Sequence, residues 1–398
     1  MPQMLEGIKV IDFSQNLAGP LAGAMLADHG ADVIKIEKMK GADERRMVPM
    51  MGPNFSLSAA WQNRGKKSVT LNIRDPEGAD LARRLCADAD VVIESNRPGV
   101  MKKAELDYET IRESNPSVIY CSVSMFGQKG PYAERGGYDI LAQAMSGFMS
   151  VNGEKGGPPL KHGLAIGDYA GGMTAFSSIM TALFYRFRTG KGQYIDVSLL
   201  RSLLYLNGVL DGINVGMHVI REGNEHATLS PFGVYAGKGE QNLVIAAVSQ
   251  NLWEKLCHVM GQPELITDPE LLTLDRRVDQ RARIRVILEK WLQTFEDIRE
   301  AEKRLLDADI PCCRVYDCQD IWEDPHIQAA GFLVDVPLPN GYPQKMFRTR
   351  NVAASFSEAP PTIKQGAALG EHTKEILTGI GLTEEKIEEL LRRWKTNA

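Results

Sequence analysis

Short apolar runs alternate with helix-forming segments along the N-terminal part of the chain, and this alternation constrains the fold more than any other feature. The runs at residues 7–13 and 31–37 flank a segment of helical composition at 21–29. Such a strand–helix–strand unit is typical of parallel sheets, whose crossover connections are helices. Further strands are predicted at 68–72, 91–94 and 118–124, with a helix at about 75–89. The pattern predicts an α/β fold with a doubly wound, Rossmann-like parallel sheet.

The pattern changes beyond about residue 208. Apolar runs at 232–235 and 243–248 flank a glycine-containing turn, and residues 253–304 are dense in helix formers. Paired strands followed by helices indicate a smaller α+β unit. We therefore predict a large Rossmann-like domain, a small α+β domain and a return segment that completes the large domain, at 1–221, 222–320 and 321–398 respectively.

The composition favours a soluble enzyme that binds neither nucleic acid nor a membrane. The 398 residues are 43% hydrophobic and 24% charged, and the net charge of -5 leaves no basic excess for nucleic acid. Residues 1–6 lack the basic and apolar regions of a secretory signal, which predicts a cytoplasmic location. The uncharged segment at 170–185 is shorter than the ~20 residues that span a bilayer, and it predicts a buried helix. No CxxC pair occurs among the six cysteines, so no metal site is expected.

Neither glycine-containing turn of the predicted large domain carries a nucleotide-binding motif. Residues 14–20 (SQNLAGP) lack the GxGxxG pattern that lets a pyrophosphate approach the backbone, although Glu37 ends the second strand where an acid could meet a ribose. Residues 190–192 (GKG) lack the frame of a phosphate loop and predict a tight turn. A tightly bound dinucleotide cofactor is therefore not expected.

The segment at 163–172 (GLAIGDYAGG) is the most informative local feature. Asp168 stands just before a predicted helix rich in small residues, where the helix dipole would hold its carboxylate ionised. Glycines on both sides leave room for a bulky substrate. An aspartate in this position is also a favoured helix cap, and the local sequence alone leaves both interpretations open.

A series of short motifs resembles the class III CoA-transferase family, which includes formyl-CoA, carnitine and bile-acid CoA transferases. The resemblance is collinear over residues 7–202 and continues more loosely at 231–235 and 310–325. The motifs are AGP at 18–20, GADVIKIE at 30–37, NR at 63–64, KSVTL at 67–71, RPG at 97–99, FGQ at 126–128, GPY at 130–132, YD at 138–139, AQAMSG at 142–147, GD at 167–168 and RTGKGQ at 188–193.

The resemblance implies that Asp168 is the catalytic nucleophile. In the family this aspartate attacks the thioester carbonyl and forms a mixed anhydride, which the returning CoA converts to an aspartyl-CoA thioester. It implies that the loop around Ala18 supplies a backbone donor to the developing oxyanion. Asn16, Tyr138 and Asp139 match supporting positions.

By the same resemblance, coenzyme A or an acyl-CoA is a substrate and no cofactor is tightly bound. The residues that correspond to those near the nucleotide are Lys38, Leu71, Arg74, Asn96, Arg97 and Lys103. Cations suit the phosphates of CoA, because arginine contacts a phosphate in bidentate fashion and lysine offers a point charge. Each of the four cations, Lys38, Arg74, Arg97 and Lys103, could equally be an ordinary surface residue.

Two departures from the family pattern concern how the intermediate is held. The family often has NFRPG where this chain has SNRPG at 95–99, so an aromatic beside the CoA is missing. A glycine-run loop that closes over the intermediate in some members is not found near 248–250. Candidates for the acyl pocket, which would take a small carboxylic acid, are Tyr138, Met145, Met149 and Phe232.

Two other functions remain possible from these residues. An α-methylacyl-CoA racemase of the same fold would use a His-Asp pair where this chain has Tyr138 and Asp139, and tyrosine, with a pKa near ~10, is a poor base. His162 lies close in sequence and could replace that histidine. A non-catalytic CoA-binding protein would have no need of an acid at position 168. The family also forms interlocked homodimers, which the long connections near 200–225 and 320–365 would permit.

Overall fold

The computed structural model describes residues 2–52, 55–217, 221–338 and 344–396. The chain divides into two compact units. The larger comprises Met1–Phe148, Lys161–Asp211 and Gln328–Ala398, and the smaller comprises Met149–Leu160 and Gly212–Ile327. The smaller unit thus takes in a segment at 149–160 that the predicted division assigned to the large domain.

The larger unit is organised around a six-stranded parallel sheet. Its strands are β1 (Lys9–Asp12), β2 (Asp32–Glu37), β5 (Lys67–Thr70), β6 (Val91–Glu94), β7 (Ile119–Ser124) and β8 (Gln193–Ser198). They lie in the order β5-β2-β1-β6-β7-β8, and every neighbouring pair is parallel. The predicted α/β fold with a parallel sheet is therefore confirmed. Two small antiparallel pairs complete the strands of this unit, β3 (Met50–Gly52) with β4 (Phe55–Ser56) and β12 (Leu333–Pro337) with β13 (Met346–Arg350).

Helices cover both faces of the parallel sheet, because successive strand residues point to opposite faces and both faces are apolar. Val10 belongs to the core beneath α1 and α8, and Ile11 belongs to the core beneath α3 and α17. Trp394 of the C-terminal helix is fully buried in the second core. The helices are α1 (Ala18–Asp28), α2 (Leu57–Gln62), α3 (Pro76–Ala87), α4 (Val100–Lys103), α5 (Tyr108–Ser114), α6 (Asp139–Met145), α7 (Phe148–Val151), α8 (Ile166–Thr189), α9 (Leu199–Leu206), α10 (Gln250–Val259), α11 (Leu274–Asp279), α12 (Arg281–Leu292), α13 (Ile298–Asp307), α14 (Cys318–Glu323), α15 (Pro325–Ala329), α16 (Thr373–Gly379) and α17 (Glu384–Thr396).

The smaller unit combines helices with a three-stranded antiparallel sheet. Its strands are β9 (Phe232–Ala236), β10 (Asn242–Ala246) and β11 (Cys312–Arg314), with β10 in the middle. Trp253 and Leu288, from α10 and α12, are fully buried against this sheet. Short 3-10 helices occur at Asp43–Arg46, Leu210–Val215 and Pro263–Ile266.

The helix predicted to be buried at 170–185 is buried on one face only. It lies within α8, whose buried residues fall on one face and include Gly171, Ala175 and Ile179. Met173 and Phe184 are exposed on the other face, at 56% and 63%. The prediction was wrong on this point, because an uncharged composition does not specify which face meets the core. Among the described residues, none of the helices combines the length and the apolar character needed to cross a bilayer.

Candidate active site

The carboxyl ends of the parallel strands meet along one edge of the sheet, and the strand order reverses between β1 and β6. In open α/β sheets, ligands bind in the crevice at such a reversal. Here the loops that follow the two strands are joined by Ser95, whose hydroxyl accepts from the backbone N–H of Gln15 (2.9 Å) and donates to the carbonyl of the same residue (3.2 Å). The sheet therefore places these two loops side by side at the crevice.

The loop after β1 leads directly into the start of α1. The backbone N–H of Ser14 donates to Asp12 Oδ1 (2.8 Å), and Asn16 has a left-handed backbone with φ of 69°. In the described part of the chain, no side chain caps the N-terminus of α1 at Ala18. The amides of a first helical turn have no partner within the helix, so this end of α1 presents donors to an anion.

Two glycines let α8 approach its neighbours, Gly172 the first turn of α1 and Gly171 the side chain of Leu199 in α9. A Cβ on Gly172 would lie 2.8 Å from the carbonyl oxygen of Ala18 and 2.9 Å from Cδ2 of Leu21. A Cβ on Gly171 would lie 2.5 Å from Cδ2 of Leu199. Asp168 precedes Gly172 by one helical turn and therefore lies on the same face of α8. Asp168 therefore lies one helical turn from the contact between α8 and Ala18.

Asp168 is not the helix cap that its sequence position allowed. The helix begins at Ile166 after Ala165, so Asp168 lies within the first turn, and among the described residues no side chain caps this helix. The cap interpretation is overturned because a cap at Asp168 would start the helix at residue 169, whereas the chain becomes helical three residues earlier, at Ile166. The carboxylate is half-buried.

The electrostatic environment of Asp168 also differs from the prediction. Burial, together with the negative charge of Asp139, raises the pKa of Asp168 to about 7. The expectation that the helix dipole would keep this carboxylate fully ionised was wrong, because loss of solvation opposes the charged form more strongly than a nearby helix end favours it. A carboxylate that is poorly solvated near neutral pH is a stronger nucleophile than one fully in water.

Asp139 is the first residue of α6 and fixes the start of α8. Its Oδ1 accepts from the backbone N–H of Gly167 (2.6 Å), and its Oδ2 accepts from Nε2 of Gln143 (2.6 Å). Gln143 is buried, and its Oε1 accepts from the backbone N–H of His162 (2.8 Å). These bonds hold the chain on both sides of the 162–167 loop. The role of Gln143 was not predictable from the sequence motif at 142–147 that contains it.

Tyr138 precedes α6 and is 75% exposed. His162 is also exposed, and its Nδ1 accepts from the backbone N–H of Leu164 (3.1 Å). The remaining acyl-pocket candidates fall in both units, with Met145 in the larger one and Met149 and Phe232 in the smaller one.

The six residues predicted to contact CoA lie after three strands of the parallel sheet, β5, β2 and β6, of which β2 and β6 are separated by β1. Lys38 follows β2, Leu71 and Arg74 follow β5, Asn96 and Arg97 follow β6, and Lys103 ends α4. All four cations are exposed, and Lys38 pairs with Asp43 (2.8 Å). The side chain of Leu71 lies in the hydrophobic core, at 2% exposure, so only its backbone could meet a nucleotide.

Arg97 and Asn96 are held by contacts that the sequence did not reveal. A Cβ on Gly136 would lie 2.5 Å from a guanidinium nitrogen of Arg97, so the glycine makes room for this side chain. The backbone N–H of Asn96 donates to Glu94 Oε2 (2.7 Å). Glu94 ends β6 and is buried, which raises its pKa to about 7.

A buried group of four charges, Asp12, Lys35, Glu44 and Lys66, lies beneath the loop after β1 and was also missed. Lys66 Nζ donates to Asp12 Oδ2 (2.7 Å), and Lys35 Nζ lies 3.0 Å from Glu44 Oε1. Burial alone would raise the pKa of Asp12, but the two lysines hold it below its ordinary value. The sequence did contain a signal, because a lysine within the apolar run of β2 must be buried when the strand lies inside a sheet.

Comparison with known proteins places the chain in a family. Residues 5–373 match the sequence model of CoA-transferase family III. The chain is 37% identical to a succinate–glutarate CoA-transferase of Agrobacterium fabrum over 390 residues, covering 94% of each protein. It is 32% identical to a formyl-CoA:oxalate CoA-transferase of Streptomyces avermitilis, covering 97% of this chain and 98% of that protein. A crystal structure of a CAIB/BAIF family protein from Brucella suis superimposes with a TM-score of 0.87 at 33% identity, covering 96% of this chain and 100% of the other.

The parallel sheet, with its switch in strand order between β1 and β6, is the architecture of an α/β enzyme, a class in which ligands bind at the carboxyl edge of the sheet. The chain belongs to CoA-transferase family III, and its activity is CoA transfer. The family resemblance seen in the sequence motifs is confirmed.

Proposed function

We propose that this enzyme moves CoA from an acyl-CoA thioester to a free carboxylic acid through covalent intermediates on Asp168. The observation that carries the proposal is the position of this carboxylate in the first turn of α8, one turn before Gly172, which packs against the uncapped start of α1. A nucleophile and a set of backbone donors then face the same reacting carbonyl.

The reaction divides into four steps. A carboxylate oxygen of Asp168 attacks the thioester carbonyl, the C–S bond breaks, and CoA leaves as the thiolate, so that the acyl group is joined to Asp168 as a mixed anhydride. The thiolate then attacks the Asp168 carbonyl carbon, releases the donor acid as a carboxylate and leaves an aspartyl-CoA thioester. The acceptor carboxylate attacks the carbonyl carbon of this thioester, the C–S bond breaks, CoA leaves again as the thiolate, and a second anhydride forms between the acceptor and Asp168. CoA thiolate finally attacks the acceptor carbonyl, which yields the new thioester and restores Asp168.

Each step develops negative charge on a carbonyl oxygen. Backbone N–H groups at the start of α1, near Ala18, are in place to stabilise that charge, and one well-placed donor contributes about 3 kcal/mol. Asn16 and Tyr138 are assigned supporting positions beside the reacting groups. Asp139 orients the start of α8 through Gly167.

The nucleotide part of CoA is proposed to lie along the carboxyl edge of the sheet. Lys38, Arg74, Arg97 and Lys103 supply positive charge for its phosphates, and Asn96 and the backbone at Leu71 supply polar contacts. These positions follow β5, β2 and β6. In the sheet β5 and β2 are neighbours, and β1 lies between β2 and β6.

The acids exchanged are proposed to be small dicarboxylic acids. The similar proteins include the succinate–glutarate enzyme of Agrobacterium fabrum, a succinyl-CoA:mesaconate CoA-transferase of Haloarcula hispanica at 33% identity, and a succinyl-CoA–D-citramalate CoA-transferase of Chloroflexus aurantiacus at 32% identity. Succinyl-CoA as donor, with glutarate and mesaconate as acceptors, forms the first panel to assay.

We also propose that the enzyme acts as a cytoplasmic homodimer. Exposed apolar side chains on α8 and α9, such as Phe187 at 88% and Tyr205 at 91%, are compatible with a second copy covering them. Light scattering of the purified protein tests the oligomeric state.

Trapping of the intermediate tests the mechanism. The enzyme is mixed with succinyl-CoA and quenched with hydroxylamine, which attacks activated carboxyl groups, and the digested protein is analysed by mass spectrometry. We expect a hydroxamate on Asp168 in the peptide that carries it. Turnover without any adduct at Asp168 would contradict the proposal, and the Asp168→Ala variant serves as the blank.

A second experiment separates transfer from racemisation. The enzyme is incubated in heavy water with a 2-methylacyl-CoA, and deuterium at the α-carbon of the thioester is measured by mass spectrometry. A racemase exchanges the α-hydrogen for deuterium, whereas the transfer steps above break no C–H bond. Deuterium incorporation at the α-carbon would favour the racemase.

A further inference from the structure

The buried group of charges beneath the loop after β1 has a direct connection to the reaction site. Asp12 and Glu44 are fully buried, and Lys35 and Lys66 are 1% and 3% exposed. They come from β1, the Asp43–Arg46 3-10 helix, β2 and the segment before β5. Burying four charges is costly unless each is paired and hydrogen-bonded, and here the two lysines pair with the two carboxylates.

The group is bonded to successive points of the loop at 14–20. Lys35 Nζ donates to the carbonyl of Ser14 (2.7 Å), and Lys66 Nζ donates to the carbonyl of Pro20 (2.7 Å). Between these points, the backbone N–H of Asn16 donates to Glu44 Oε2 (3.0 Å). The segment that leads into α1 is thus hydrogen-bonded to the buried charges at Ser14, Asn16 and Pro20.

The middle contact fixes the least favourable conformation in the loop. Asn16 has φ of 69°, a left-handed conformation that residues with a side chain seldom adopt unless surrounding contacts impose it. Its N–H points to Glu44, which lies 28 positions later in the sequence. Without an acceptor there, the backbone at Asn16 would relax, and the amides that follow it at Ala18 would change direction.

We propose that Glu44 is a positioning residue for CoA transfer, which sets the orientation of the amide donors at the start of α1 by holding the N–H of Asn16. The inference rests on the proposed role of those donors opposite Asp168. Glu44 contacts the loop rather than the reacting atoms, so its effect is on the geometry of the transition state.

The two oxygens of Glu44 have separate tasks. Oε2 accepts from Asn16, whereas Oε1 accepts from Lys35 (3.0 Å) and from Nδ2 of Asn63 (3.2 Å). A glutamine of the same size has one acceptor and one donor group. The positive charge of Lys35 attracts the amide oxygen, so the amide N–H group would face the N–H of Asn16 and leave the loop without its acceptor.

The test compares Glu44→Gln with Asp28→Asn, a matched control. Asp28 is likewise buried and paired, with Arg64 Nη2 2.6 Å from its Oδ2, but it ends α1 at the opposite end from the loop. Thermal unfolding, kcat, KM for succinyl-CoA and the rate of hydroxamate-trappable adduct formation in a single turnover are measured for both.

For Glu44→Gln we expect kcat and the adduct rate to fall on the order of tenfold to hundredfold while KM stays within about threefold, because a misdirected donor affects the transition state more than binding. For Asp28→Asn, at a temperature where it is folded, we expect kcat within about threefold of the parent enzyme. Equal losses of kcat in the two variants would overturn the inference, as would an unchanged adduct rate in Glu44→Gln.

If Glu44→Gln does not fold, Glu44→Asp replaces it as the test variant. Aspartate keeps the charge for Lys35 but is one carbon too short to reach Asn16 as well, so kcat should still fall at constant KM, and parent-like kcat would overturn the inference. Absence of an Asp168 adduct in the parent enzyme would instead contradict the proposed mechanism, so the two failures are distinguishable.

Discussion

The carboxylate of Asp139 accepts a hydrogen bond of 2.6 Å from the backbone N–H of Gly167, the residue immediately before Asp168. One side chain therefore both fixes the start of α8 and places a second negative charge near the nucleophile. The raised pKa of Asp168, to about 7, comes first from burial and then from this charge. A carboxylate that serves as nucleophile must be ionised, so its pKa sets the acid side of the pH dependence.

Replacement of Asp139 by asparagine should shift the acid limb of the pH–rate profile. The amide oxygen still accepts from Gly167, but the negative charge is gone, so the pKa of Asp168 should fall, although burial still holds it above its ordinary value. In the parent enzyme, kcat should rise with pH through about 7. In Asp139→Asn the same rise should occur at lower pH, as measured from kcat between pH 5 and 9. An acid limb at the same pH in both proteins would contradict the assignment.

Replacement of Asp168 by asparagine should abolish transfer and also stabilise the fold. Loss of the nucleophile should lower kcat by about three orders of magnitude or more, while CoA thioester binding, followed by calorimetry, is kept. A carboxyl group whose folded-state pKa is raised favours the folded state when protonated, and this contribution is lost as pH rises through about 7.

The stability of Asp168→Asn should therefore depend on pH relative to the parent. Near pH 8 the variant should be more stable by about 1–3 kcal/mol, a figure reduced for the partial exposure of the group. Below about pH 4 the difference should vanish, because the carboxyl group is then neutral in both the folded and unfolded parent. Thermal unfolding at the two pH values measures this, and equal stability at pH 8 would argue against a desolvated carboxylate.

An alanine at Gly172 should separate the two helices that form the site. Its Cβ would lie 2.8 Å from the Ala18 carbonyl oxygen, which is backbone and cannot turn away. We expect a stability loss of about 1–3 kcal/mol and a fall in kcat on the order of tenfold to hundredfold. Gly379→Ala is the control, since no atom lies within 4 Å of its added Cβ. Parent-like kcat in Gly172→Ala would show that close approach of α1 and α8 is not required.

Removal of the Arg97 side chain should weaken substrate binding more than chemistry. If the guanidinium contacts a CoA phosphate, Arg97→Ala should raise KM for the CoA thioester about tenfold and leave kcat within a factor of about three. The loss should shrink at high salt, because screening weakens the contact in the parent as well. The control is Lys374→Ala, which removes a surface cation of α16 that pairs with Glu388 of α17. An unchanged KM would remove Arg97 from the CoA site.

The local elements were predictable because their signals are local. The strand expected at 91–94 is β6 as the structure has it, and the strand expected at 118–124 begins one residue later, as β7. Both are short apolar runs inside a parallel sheet, and such runs are evident in the sequence itself. The motif at 163–172 likewise singled out Asp168 as a candidate without any coordinates.

The sequence by itself determined the class of fold, the family and the identity of the candidate nucleophile, because short contiguous sequence patterns indicate all three. The tertiary structure alone decided that Asp168 lies inside a helical turn, that its pKa is raised, and that Lys35 and Glu44 are hydrogen-bonded to the loop after β1. Desolvation and charge coupling depend on which residues distant in sequence are brought within a few ångströms, and no local pattern records that distance. The order of the six strands, which creates the crevice, is likewise a property of the whole sheet.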